Sequence, residues 1–248
     1  MAHCIRCGLS EEIFISTGKF GCGSCHKVLF SGNLSRLGNK NRDENIDSIN
    51  DLESIRRAIH SPTYRLRIAR CLRKGFFPHY TSQVEEIRSL LSRLKIPFHD
   101  TKNESLELNI GEKFYFGEED HLRYEWKSSE PAIFLQNKIW NSHFLRFLFL
   151  KQLWAWEKNI GFINSCPTNC GRGDRLSVQF RIPKPTYFDL IRQLSPFLGF
   201  GIDFLPKPES EVGNILDSDL ILVQISCKNA VPRQKLRFFK ILSLLGLG

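Results

Sequence analysis

Two Cys-x-x-Cys pairs, Cys4/Cys7 and Cys22/Cys25, separated by fourteen residues, restrict how this chain can begin to fold more than any other feature. Two such knuckles carry four thiolates to the corners of a tetrahedron and close a zinc site without an open position, so the expected metal is structural. A module this small buries too little apolar surface to fold alone, and zinc supplies on the order of 10–16 kcal/mol of apparent binding energy to its folding. His3 and His26 flank the cysteines as substitute ligands, although four thiolates already fill the site. The other cysteines, Cys71, Cys166, Cys170 and Cys227, are scattered, and the N-terminus MAHCIRCG has no apolar signal core. That pattern favours metal and free thiols in a reducing compartment over a disulfide framework, so a cytoplasmic location is expected.

Beyond this ribbon, at residues 1–30, the composition turns polar over 31–55 and reads as a linker, leaving 56–248 for one sizeable domain. The formal charge of +9 asks for an anionic partner. Nucleic acid is disfavoured, since Arg6, Lys19 and Lys27 make too small a footprint on the ribbon. Phe144 to Trp156 is apolar but short and broken by Arg146 and Lys151, which excludes a membrane span and suggests a buried segment of a long helix over Pro131 to Lys158.

Periodicity places the informative residues. Arg65 and Arg67 alternate with Leu66 and Ile68, so in a strand both guanidinium groups share one face while the aliphatic residues anchor the other. Val84, Ile87, Leu90, Leu91 and Leu94 recur at helical spacing over Ser82 to Lys95. Residues 105–110 and 113–116 read as a hairpin around Gly111 that leads into an acidic block, GEEDHLRYEW. Further on, GFINSCPTNCGRGDRLSVQFRIP offers a cysteine in a turn-rich segment, a Gly-spaced basic loop and a strand in which Leu176, Val178 and Phe180 share a face. Alone, the acids are a solvated turn and Cys166 a small buried hydrophobe. Together, a carboxylate, a thiolate and several arginines can hold a cationic group against a polyanion.

Glu118 to Arg123 (EEDHLR), Cys166 to Asn169 (CPTN) and the Gly-x-Gly-x-Arg loop ending at Arg175 resemble the signature segments of the ATP:guanidino phosphotransferases, the phosphagen kinases. Val212 to Ile215 (VGNI) is similar to a segment of the bacterial protein-arginine kinases, and the ribbon resembles that of their separate activator protein. The resemblance implies an α+β fold with an antiparallel sheet backed by helices. It also implies Mg-ATP as cofactor and phosphoryl transfer to a guanidino group, most naturally protein arginine. Arg65, Arg67, Arg123 and Arg175 would then clamp nucleotide phosphates, with Arg70 a third basic residue of the first strand. Glu119 would hold the guanidinium and take up its proton, and Cys166 would sit against it as a thiolate.

The departures from the family pattern support another expectation, a degenerate kinase-like regulator that binds nucleotide or phosphoarginine beside a full-length kinase. Asp203 falls where an arginine is expected, and Lys207 where a second glutamate is expected unless Glu209 or Glu211 replaces it. The chain ends about thirty residues after Ile215, so the family's C-terminal region is expected to be truncated.

Overall fold

The computed structural model describes residues 2–29, 52–77, 84–93, 99–100, 105–109, 111–116, 119–131, 145–198, 202–206, 219–229 and 232–248. In chain order the elements are α1 (Glu11–Thr17), α2 (Glu53–Arg57), β1 (His60–Arg70), α3 (Val84–Arg93), β2 (His99–Asp100), β3 (Ser105–Asn109), β4 (Glu112–Phe116) and β5 (Leu122–Ser128). They continue with β6 (Trp156–Glu157), β7 (Gly161–Phe162), β8 (Asp174–Pro183), α4 (Lys184–Leu194), β9 (Ile202–Pro206), β10 (Leu220–Lys228) and α5 (Pro232–Leu244). Two compact units emerge, one drawn from 1–37, 67–126 and 136–174, the other from 38–66, 127–135 and 175–248.

In the first unit β2, β3, β4 and β5 pair antiparallel in chain order. The hairpin forms where the alternating pattern predicts it, with Gly111 in the left-handed region at φ 79°. Phe114 and Phe116 of β4 and Leu122 and Tyr124 of β5 are buried, and Phe114 packs against Tyr124 and Phe147. α3 lies within the expected helix and buries Ile87 and Leu90.

The long helix expected over Pro131 to Lys158 is corrected where the chain is described. Residues 132–144 fall outside the described set, and from Leu145 onward the backbone makes one 3-10 turn (Arg146–Phe149) and then β6, which pairs with β7. Tertiary hydrogen bonds win over the helical ladder here. Arg73 N–H donates to Leu153 O (3.0 Å) and Ala155 N–H to Cys71 O (2.8 Å), while the Trp154 indole donates to Phe147 O (2.8 Å). Phe147, Leu148 and Trp154 are still core, so the apolar pattern reported burial correctly and geometry wrongly.

In the second unit β10 lies between β8 and β9, antiparallel to both. Leu176, Val178, Phe180 and Ile182 of β8 are buried on the shared face that their alternation demands. α4 and α5 back β10, burying Leu190, Leu194, Phe238, Ile241 and Leu242. Arg56 Nε donates to Leu244 O (2.6 Å) and Tyr64 OH to Leu247 O (3.1 Å), which ties the end of α5 to α2 and to β1. The fold is therefore α+β with antiparallel strands backed by helices, and no helix among the described residues is long and apolar enough to cross a membrane.

Candidate active site

The four N-terminal cysteines meet. Their sulfurs all lie within 4.8 Å of one another, with 3.7 Å between Cys4 and Cys22, 3.4 Å between Cys7 and Cys25, and 3.9 Å between Cys22 and Cys25. A tetrahedral ion with bonds of about 2.3 Å to sulfur needs edges of roughly 3.8 Å, so the cluster fits a metal such as zinc. Among the described residues neither His3 nor His26 joins this group. The module shares its core with the rest of the first unit, since Cys4, Leu9, Phe20, Cys22 and Cys25 pack in one cluster with Cys71, Phe77, Ile163 and Cys170. Main-chain bonds fasten it there: Phe77 N–H to Gly21 O (2.8 Å) and Phe20 N–H to Ser165 O (2.6 Å). The Arg6 guanidinium adds a bond to Lys74 O (2.6 Å).

The acidic block and the CPTN turn also come together in this unit. Asp120 is buried, and its Oδ1 accepts from Ser165 N–H (2.8 Å) and from the Cys71 thiol (3.3 Å). Burial pushes its carboxyl above the usual range, against the opposing effect of the Ser165 amide. Its neighbour His121 is fixed as the Nε2–H tautomer, because Nδ1 accepts from Leu72 N–H (2.8 Å) and Nε2 donates to Phe76 O (2.5 Å). Desolvation lowers the imidazole pKa to about 4, with the Phe76 carbonyl opposing. These two residues hold the block in place and leave Glu119 at the surface.

Cys166 caps the 3-10 turn Pro167–Asn169, half-buried, with its sulfur 3.0 Å from Thr168 Oγ1. From the same turn Asn169 Nδ2 reaches Glu119 Oε2 (3.3 Å) and Asp120 Oδ2 (3.4 Å). One amide thus links the segment bearing Cys166 to the segment bearing Glu119. The CPTN motif contains Asn169, yet nothing in the sequence marks it as the bridge. Nor does local spacing mark Lys19, whose ammonium pairs with Glu119 Oε1 from a hundred positions away.

The arginines divide between the units. In the first, Arg67 Nε lies 3.0 Å from Oε2 of the buried Glu125, and Arg123 stacks over the Tyr115 ring at 4.5 Å. In the second, Arg65 and Arg175 are close enough for their charges to interact, and Arg175 Nη2 donates to Ser226 Oγ (3.0 Å). Burial lowers the pKa of Arg175, Asp203 opposes that, and Arg65 adds to it. Asp203 pairs in register with Ser226 and sits 3.1 Å from Lys228 Nζ, so its charge is partly met by that ammonium. Lys207, Glu209 and Glu211 lie outside the described residues.

Arg70 requires a correction. It sits on the face of β1 opposite Arg65 and Arg67 and is fully buried, donating to Leu148 O (2.6 Å) and Arg172 O (3.0 Å) under the Phe162 ring. Burial brings its pKa down to about 9, which keeps it charged at neutral pH. Its work is to anchor the Gly-rich loop. A Cβ on Gly173, where φ is +68°, would meet Arg70 Nη1 at 2.4 Å.

Residues 99–199 match the family model of the ATP:guanido phosphotransferase C-terminal catalytic domain. That segment contains Glu119, Arg123, Cys166 and Arg175, but not β1 or the cysteine cluster. Among solved structures, the chain is similar to the substrate-free duplicated taurocyamine kinase from Schistosoma mansoni, with a TM-score of 0.54 and 16% identity over 92% of this chain and 40% of that one. The same kinase with bound transition state analog components aligns at TM-score 0.53 and 15% identity, with the same coverage. A lombricine kinase aligns at TM-score 0.46 and 13% identity over 85% of this chain and 71% of that one. At such identities the likeness to the taurocyamine kinase is one of fold, and this chain spans about 40% of that kinase's length. The sequence matches no curated protein.

Proposed function

We propose that the chain transfers the γ-phosphoryl group of Mg-ATP to a guanidino group, and that its acceptor is protein arginine. The observation that carries this reading is the Asn169 link, which sets Glu119 and the Cys166 turn side by side within a segment matching the guanidino phosphotransferase family. In-line phosphoryl transfer is catalysed mainly by positioning and charge neutralisation. Glu119 is assigned to bind the guanidinium and orient its nucleophilic nitrogen, which must lose a proton as the P–N bond forms. Cys166 is assigned to the same cation as a thiolate. Arg67 and Arg123 in the first unit, and Arg65 and Arg175 in the second, are assigned to nucleotide phosphates, with Mg²⁺ arriving on the nucleotide. Zinc in the Cys4, Cys7, Cys22 and Cys25 cluster supplies structure alone, since four thiolates leave no open coordination position. A macromolecular acceptor suits a kinase-like region at 56–248 joined through 31–55 to a ribbon at 1–30, a small module of the kind that docks proteins. A cytoplasmic location suits its free thiols.

The second reading is a nucleotide-binding regulator working beside a full-length kinase. It is favoured by Asp203, an acid electrostatically coupled to the phosphate-binding candidate Arg175. One experiment separates the two: incubation with γ-labelled Mg-ATP and either free arginine or an arginine-rich protein, scoring acid-labile label. The kinase reading expects label on the protein, reduced at least a hundredfold in Glu119→Gln. Nucleotide binding without label would establish the regulator.

A further inference from the structure

Lys19 does not meet Glu119 as a loose surface side chain. On its N-terminal side α1 ends at Gly18, whose left-handed conformation (φ 64°) turns the chain, and Lys19 N–H donates to Thr17 Oγ1 (3.2 Å). On its other side Phe20 is fully buried and stacked on Phe14, and it forms a two-bond clasp with Ser165, N–H to O at 2.6 Å and Oγ to O at 3.4 Å. Ser165 directly precedes Cys166. The cysteine module therefore delivers one cation, held by backbone on both sides, to the carboxylate beside the CPTN turn. Each oxygen of Glu119 already has a partner as a result, Oε1 the Lys19 ammonium and Oε2 the Asn169 amide.

We infer that Lys19 is a built-in competitor for the guanidinium site, holding the cation position on Glu119 until an acceptor arginine displaces it. This rests on the reading of Glu119 as the guanidinium-binding acid. A planar guanidinium binds a carboxylate through two parallel N–H bonds and needs both oxygens, whereas an ammonium is a point charge satisfied by one. Substrate binding thus requires Lys19 to leave. Both partners are partly exposed, with side-chain exposures of 31% and 40%, so water can take over the ammonium and the block is a graded one. Because Lys19 is clasped to the cysteine module, anything that shifts that module, such as a docked protein, would also unblock Glu119.

The test is calorimetric titration of the full chain with a blocked Gly-Arg-Gly peptide, using wild type, Lys19→Met, Lys19→Arg and Glu119→Gln, with thermal melts confirming that each variant is folded. Lys19→Met keeps the aliphatic stem and is expected to bind roughly threefold to fivefold tighter than wild type, the range of a partly exposed ion pair. Lys19→Arg keeps the cation and should bind no tighter than wild type, while Glu119→Gln should lose binding. Unchanged affinity in Lys19→Met together with loss in Glu119→Gln would overturn the competitor role and leave Glu119 as the guanidinium site. Absence of peptide binding in wild type and Lys19→Met alike would overturn both.

Discussion

His121 shows how a single residue inside a signature motif can serve the fold rather than the reaction. Its ring bridges Leu72 N–H and Phe76 O, which requires the neutral form, and burial depresses its pKa from 6.5 to about 4. A depressed folded-state pKa means that the unfolded chain takes up the proton first, so the stability is fully present above about pH 6.5 and is lost as the pH falls toward 4. Urea titrations at pH 7 and pH 4.5 are expected to show this residue contributing up to about 3 kcal/mol of acid destabilisation, a loss absent from His121→Asn. An equal slope in the variant would move the effect to other groups. Asp120 likewise serves the fold, its carboxyl group spent on Ser165, Cys71 and Asn169. Of the three consecutive polar residues Glu119, Asp120 and His121, only the first is left for chemistry. Sequence spacing identifies the block as a unit and does not separate these roles, because burial is set by segments far away in the chain.

At the scale of elements, alternation was the dependable signal. β1, β3, β4 and β8 arise where period-two patterns or their turns place them, since a one-residue slip would turn a buried face to solvent. Helical periodicity was less reliable: α3 forms as expected, but the apolar run through Trp154 folds into turns because its backbone groups pair with Cys71 and Arg73. α4 and α5 were not anticipated, although Pro185 at the start of α4 suits a helix N-terminus. The strand on which the second unit depends is β10. Its Ile225 is fully buried, in register with Val178 on one side and Phe204 on the other. Ile225→Ala is expected to cost about 2–5 kcal/mol in chemical denaturation, whereas truncation of the exposed Leu205 on β9 should cost under about 1 kcal/mol.

At the scale of the whole molecule, the cysteine cluster shares a core with Cys71 and Cys170, and the Cys71 thiol donates to Asp120, the neighbour of Glu119. Metal removal should therefore reach the candidate active site. Elemental analysis is expected to find one zinc per chain, lost in Cys22→Ser, and a chelator should lower the melting temperature of the first unit as a whole rather than melt an isolated ribbon. A chelator-insensitive melt would show that the packing around Phe20 and Phe77 suffices without metal. The sequence by itself determined the cysteine knuckles, the strand faces and the signature segments, because these depend on local spacing and on the period of the backbone. Only the tertiary structure decided that Arg70 is an anchor, that Asn169 bridges two motifs and that Lys19 lies on Glu119. Those outcomes depend on which distant segments share a core, and no local spacing encodes that.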